Sequence, residues 1–223
     1  MKHSVMKRLA LLVCATAVVA GGLTACVPLV MGGAAAGTAL VATDRRTSGA
    51  QLEDEGIELR AASRIRSNLG SRVRVSVTSY NRQVLLTGEV PNAQDKQLVE
   101  QVVSRVENVV SVVNELAVLD SPSLVERSSD LLVTGRVKAM LLDAKDLQSN
   151  AFKVVTERGA TYLMGRVTQR EADRATEVVR ATPGVQKVVR LLEIISEEEL
   201  ARIRVVGAAP DQPQPAAAKP SSN

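Results

Sequence analysis

The 223-residue chain carries 28 basic and 24 acidic side chains, one His, two Cys, no Trp, two Tyr and one Phe. Such an inventory excludes His-dependent triads and Cys or His metal centres once His3 and Cys14 are seen to lie in a processing signal. The apparent net charge of +4 falls away with that signal, leaving 25 basic against 24 acidic side chains and none of the basic, aromatic surface that general nucleic-acid binding needs.

The N-terminus reads as a signal peptide. Lys2, Lys7 and Arg8 form a positive start, Leu9 to Ala20 is an apolar run too short to cross a bilayer as a mature helix, and Leu23-Thr24-Ala25-Cys26 follows. That tetrapeptide resembles the bacterial lipobox, which implies cleavage after residue 25, diacylglyceryl attachment at Cys26, and no thiol left for a disulfide. Residues 26–50 are expected to form a lipidated, Gly/Ala-rich spacer. Its glycines at 32, 33 and 37 argue against a second membrane span. Arg45-Arg46 at its end could meet lipid head groups or simply solubilise the segment.

An internal repeat follows. Ser63-Arg-Ile-Arg-Ser-Asn-Leu69 matches Gly135-Arg-Val-Lys-Ala-Met-Leu141 at an offset of 72; Leu85-Leu-Thr-Gly-Glu-Val90 matches Tyr162-Leu-Met-Gly-Arg-Val167 at 77; and Val109 to Val113 matches Val185 to Val189 at 76. The drift places insertions in loops, where length changes are tolerated. In the first copy, residues 51–120, apolar positions Ile57, Ala61, Ala62, Ile65 and Leu69 predict a helix, Val73, Val75 and Val77 a strand, and Val84 to Val90 a second strand beyond the Asn81-Arg82 turn. Pro91-Asn92 opens a helix through Val106, and Val109 to Leu119 predicts the last strand. The second copy, residues 128–196, predicts a helix from an N-cap at Ser128, Ser129 or Asp130 to about Leu142, strands near Phe152 to Glu157 and Thr161 to Val167, a helix from Gln169 to Ala181, and a strand from Val185 to Ile194. Residues 197–206 read as a short helical extension. The Pro- and Ala-rich stretch 207–223 reads as a disordered tail.

The fold class expected is therefore α+β: two tandem αββαβ modules, each a small three-stranded sheet packed by two helices. The order of elements, the glycine after the second strand and the Gly-Val-x-x-Val-Val strand resemble the BON domain, most clearly through Val154-Val-Thr-Glu-Arg-Gly159 and Leu163-Met-Gly-Arg-Val-Thr-Gln-Arg-Glu-Ala172. Two such modules behind a lipobox are similar to the dual-BON lipoproteins of proteobacterial outer membranes. That resemblance implies attachment to the inner leaflet of the outer membrane through Cys26, anionic phospholipid of the phosphatidylglycerol kind as partner of the second domain, and support of envelope integrity. No cofactor, metal or enzymatic activity is implied.

Comparison of the two first helices locates the candidate site. A core stripe of Leu131, Thr134, Val137 and Leu141 would leave Leu132, Val133, Ala139 and Leu142 as surplus apolar surface beside Arg136 and Lys138, where the first copy has Arg60, Ala61, Ser67 and Gly70. Apolar side chains among cations suit an anionic bilayer surface. The alternative is that Leu132 and Leu142 pack on the other domain, or dock on a protein of an envelope assembly or division complex. Gly88 and Gly165 are read as backbone requirements rather than parts of a phosphate loop. The acidic runs Glu53-Asp54-Glu55 and Glu197-Glu198-Glu199 are read as solvated or as favouring helix starts.

Overall fold

The computed structural model describes residues 44–119 and 124–208. The first copy comprises α1 (Ser48–Leu69), a 3-10 turn (Gly70–Arg72), β1 (Arg74–Tyr80), β2 (Gln83–Val90), α2 (Ala93–Ser104), β3 (Ser111–Asn114) and β4 (Ala117–Val118). In the second lie α3 (Leu124–Asp143), a 3-10 turn (Ser149–Ala151), β5 (Phe152–Glu157), β6 (Ala160–Val167), α4 (Gln169–Arg180) and β7 (Lys187–Ile194), followed by α5 (Glu197–Ala208). α5 takes in Gly207 and Ala208, the first two positions of the expected tail, and the remainder of the tail lies outside the described residues.

Both sheets share one topology. β1 and β2 form an antiparallel hairpin with Val77 opposite Leu86, and β3 and β4 run parallel to β2 on its other side. β5, β6 and β7 repeat the arrangement, with Val154 opposite Leu163 and Tyr162 opposite Val189. A parallel third strand requires a crossover, which α2 and α4 supply. Local chemistry fixes the helix starts: Thr47 caps α1, Asn92 caps α2 and Thr168 closes a reciprocal capping box with Glu171 on α4.

Two expectations are corrected. The last strand of the first copy is not continuous. It breaks at Glu115-Leu116, where the Asn114 Oδ1 accepts the Leu116 amide and Leu116 turns into the core. α3 begins at Leu124, so Ser128, Ser129 and Asp130 lie inside it rather than capping it. Asp130 instead accepts the amides of Arg158 (2.7 Å) and Gly159 (3.0 Å), closing the β5–β6 turn.

Each domain has its own core. Ile57, Ala61, Ile65 and Leu69 of α1 meet Val84, Leu86 and Val90 of β2 and Val99 and Val103 of α2. Val133, Val137 and Leu141 of α3 meet Leu163 and Val167 of β6 and Ala172, Ala175 and Val179 of α4. A third cluster joins the two sheets: Tyr80 and Leu85 from the first, Tyr162 and Met164 from the second, with Val113, Val155, Val189 and Leu191 packed around them. The sheets thus pack face to face with helices outside, giving four layers. β2 and β6 are buried on both faces for this reason, one face serving the domain core and the other the seam.

The paired glycines answer to packing. Gly88 faces Val75 and Gly165 faces Phe152, and a methyl at either position would collide with the facing backbone carbonyl, Arg74 O or Ala151 O. Gly88 also has φ +116°.

Candidate functional site

The orientation of α3 is set by Val137 and Leu141, both fully buried; one helical turn back this frame lands on Val133. Val133 is 3 % exposed and seated against Gly184, where an added Cβ would come within 2.6 Å of its Cγ2. This corrects the sequence reading, which placed Val133 off the stripe and Leu131 on it. Leu131 is 74 % exposed. The repeat itself carried the signal, because the offset of 72 sets Val133 on buried Ala61 and Leu131 on exposed Leu59.

The outward side of α3 gathers Leu131, Leu132, Gly135, Ala139 and Leu142, with Leu132 62 % and Leu142 71 % exposed. Arg136 and Lys138 are exposed on the same helix, and neither forms an ion pair among the described residues. Arg136 reaches only the Pro183 carbonyl, at 3.5 Å. Met140, which the sequence reading did not single out, is also exposed and lines a groove between α3 and α4 with Ala144, Val178 and Ala181.

α1 differs. Leu52 and Leu59 are exposed, yet between them the helix carries Glu53 and Glu55, and Arg60 is tied to Glu53 while Arg64 donates to the Arg105 carbonyl. Arg64 and Arg66 stand at the positions of Arg136 and Lys138, and Arg66 too is exposed without an ion pair among the described residues, so α1 differs in its Glu53–Arg60 pair and in having Arg60 and Gly70 where α3 has Leu132 and Leu142.

Arg45 and Arg46 take neither of the roles considered for them. Arg45 is buried and forms a two-point ion pair with Glu171, both contacts 2.7 Å; Arg46 bonds Asp44 and Asp54 and lies 4.3 Å from the centre of the Tyr80 ring. Burial works to raise the Asp54 and Glu171 carboxyls. Hydrogen bonds from Ser79, the Arg82 amide and Arg46 to Asp54, and from Arg45 and the Thr168 amide to Glu171, nonetheless hold both below the usual range. Cys26 lies outside the described residues. Among the described residues, no cluster of three or more His, Cys, Asp or Glu is placed to hold a metal, and no helix is long and apolar enough to cross a membrane.

Residues 54–120 and 129–196 each match the BON domain family model. The chain belongs to the BON-domain family. It is 35% identical over 197 residues, 87% of this chain and 100% of the relative, to the outer membrane lipoprotein DolP of Haemophilus influenzae. A 21 kDa hemolysin of Actinobacillus pleuropneumoniae is 30% identical over 154 residues, 68% of this chain and 79% of that one. The osmotically-inducible protein Y of Escherichia coli is 32% identical over 117 residues, 51% of this chain and 58% of that protein. Two BON domains together with the DolP likeness make this a DolP-type lipoprotein of the outer membrane. In BON terms, the exposed leucine surface sits on the first helix of the second domain.

Proposed function

We propose that this BON lipoprotein, anchored through Cys26 at the periplasmic face of the outer membrane, binds anionic phospholipid through the outward side of α3 and thereby supports outer-membrane integrity. The observation that carries the reading is the grouping of exposed Leu131, Leu132 and Leu142 with Arg136 and Lys138, which form no ion pair with a carboxylate among the described residues. Leucines entering the acyl boundary contribute up to about 1.5–3 kcal/mol each, and each cation near an anionic surface about 1 kcal/mol. Such a contact is enough to orient a protein already held by acyl chains. Ala139 allows close approach, and Val133 acts from beneath as the core residue that sets the face outward. The role is one of binding rather than catalysis.

The test is co-sedimentation of the chain from residue 26, with Cys26→Ser to prevent acylation, on phosphatidylcholine vesicles with and without phosphatidylglycerol. Binding should require phosphatidylglycerol, weaken with salt, and vanish in a folded Leu132→Glu, Leu142→Glu variant. Absence of binding by the parent chain would overturn the lipid reading. In that case an envelope assembly or division protein becomes the partner to seek for the same leucines.

A further inference from the structure

The residues just before α1 reach further than a spacer should. Arg45 and Arg46 are consecutive, yet their side chains enter different domains. Arg45 donates to both carboxylate oxygens of Glu171 at the start of α4, to the Arg166 carbonyl on β6 at 2.9 Å, and to Gln148 at 3.3 Å. Arg46 bonds Asp54 on α1 at 2.7 Å and lies over Tyr80 of β1, and its own carbonyl accepts from Gln51. The Arg166 side chain returns a contact to the Arg45 carbonyl and spans onward to Glu193 and Glu199. One short segment is therefore bonded to both halves of the molecule across the sheet-to-sheet seam.

The seam it crosses is imperfect. Among the described residues its buried apolar side chains are Tyr80, Leu85, Tyr162 and Met164. On the same face of β2, Thr87 and Glu89 are buried, and Thr87 Oγ1 and Glu89 Oε1 lack hydrogen-bond partners. Other links across the seam are hydrogen bonds from the Tyr162 hydroxyl to Glu115, from the Arg166 amide to the Tyr80 hydroxyl, from Lys153 to the Ser79 carbonyl and from Asn81 to Glu193, and the ion pairs Arg74–Glu157 and Lys153–Glu58, whose side chains remain partly in solvent, where such pairs contribute little. The Arg45–Glu171 pair is different: its side chains are 3 % and 2 % exposed, and loss of either partner leaves a charge stranded out of water.

We propose that Asp44–Arg46 is a strap that locks the two BON domains together, so that the seam stays shut only while Arg45 is seated on Glu171 and Arg46 on Asp54 and Tyr80. Unseating it frees the second domain to move relative to the first without unfolding either, because neither domain core contains a strap residue.

The chain supplies its own reporter: its two tyrosines, Tyr80 and Tyr162, both lie in the seam, and it has no tryptophan. The experiment compares acrylamide quenching of tyrosine fluorescence at neutral pH, far-ultraviolet circular dichroism and small-angle scattering for the full chain in detergent, as wild type, Arg45→Gln and the milder Arg45→Lys. The strap predicts a several-fold rise in quenching and a larger radius of gyration for Arg45→Gln, an intermediate rise for Arg45→Lys, and unchanged helix content in both. Two results overturn it. Either quenching and size stay at wild-type values in folded Arg45→Gln, or quenching rises in both variants only together with loss of helical signal, which would mean that the segment belongs to one indivisible fold.

Discussion

The two BON domains solve one structural problem by different residues and present different surfaces once it is solved. In the first, Asp54 of α1 is buried and takes four donors, the Ser79 hydroxyl, the Asn81 and Arg82 amides and the Arg46 guanidinium. In the second, Asp130 of α3 holds the equivalent hairpin turn with the Arg158 and Gly159 amides. By the repeat, Asp130 stands at the position of Glu58, one turn further along the helix than Asp54. A carboxylate pinning the turn to the first helix is common to both copies, but only the first is also tied to the strap. What faces solvent diverges further, with Arg60 paired to Glu53 on α1 where α3 has exposed Leu132, and Gly70 following α1 where α3 has exposed Leu142, beside Arg136 and Lys138. The shared features carry the fold, and the unshared ones carry the binding chemistry.

The largest expected effect tests the first half of that comparison. Asp54→Ala leaves the Ser79 hydroxyl and the Asn81 and Arg82 amides without their acceptor and Arg46 with Asp44 alone, so it should cost about 3–5 kcal/mol in urea unfolding; Asp130→Ala, losing two amide bonds at a half-buried site, should cost about 1–2 kcal/mol. Equal losses would show that the two carboxylates do the same work. The pH dependence has a definite sign. The folded Asp54 carboxyl titrates below its unfolded value, so its contribution is complete above about pH 4 and is lost as pH falls through the lower folded value. The stability gap between wild type and Asp54→Asn should therefore narrow in acid, and a gap that stays constant would contradict the depressed value.

A smaller difference is expected at the glycines. Both Gly88 and Gly165 sit against a facing carbonyl, but only Gly88 adds a left-handed φ. Gly88→Ala should cost about 3 kcal/mol and Gly165→Ala about 2 kcal/mol, measured by the same unfolding, since strain and overpacking add at the first site. The reverse order would mean that β2 relaxes its twist more readily than β6.

Much of this architecture is legible in the chain because the repeat doubles every signal. The order of helices and strands in both copies and the helix start at Asn92 follow from pattern and turn chemistry. The face-to-face packing was also written there, in Val84-Leu85-Leu86 and Tyr162-Leu163-Met164. Three apolar residues in a row on a strand have no solvent side, and the reading stopped at one buried face. The frame of α3 went astray because Leu131, Val133 and Leu132 are equally apolar, so periodicity alone admits several stripes. Only alignment to Ile57, Ala61, Ile65 and Leu69 of the first copy resolves which is buried. Arg45 could not be read at all, since its partner Glu171 is distant in sequence and the contact exists only because the domains fold back on each other.

The smallest effect on stability carries the sharpest functional contrast. Leu59 and Leu131 are equivalent by the repeat and alike in exposure, at 73% and 74%. Neither packs into a core, so Leu59→Glu and Leu131→Glu should each change unfolding stability by no more than about 0.5 kcal/mol. On phosphatidylglycerol vesicles the two should part. Leu131→Glu places a carboxylate between Arg136, Lys138 and the bilayer, cancelling attraction and barring entry to the acyl boundary, whereas Leu59→Glu adds charge to a face that has Arg60 and Gly70 in place of Leu132 and Leu142. Loss of vesicle binding in Leu131→Glu alone would make the second domain the lipid-binding one; equal loss in both would mean that the first helices of the two domains contribute alike.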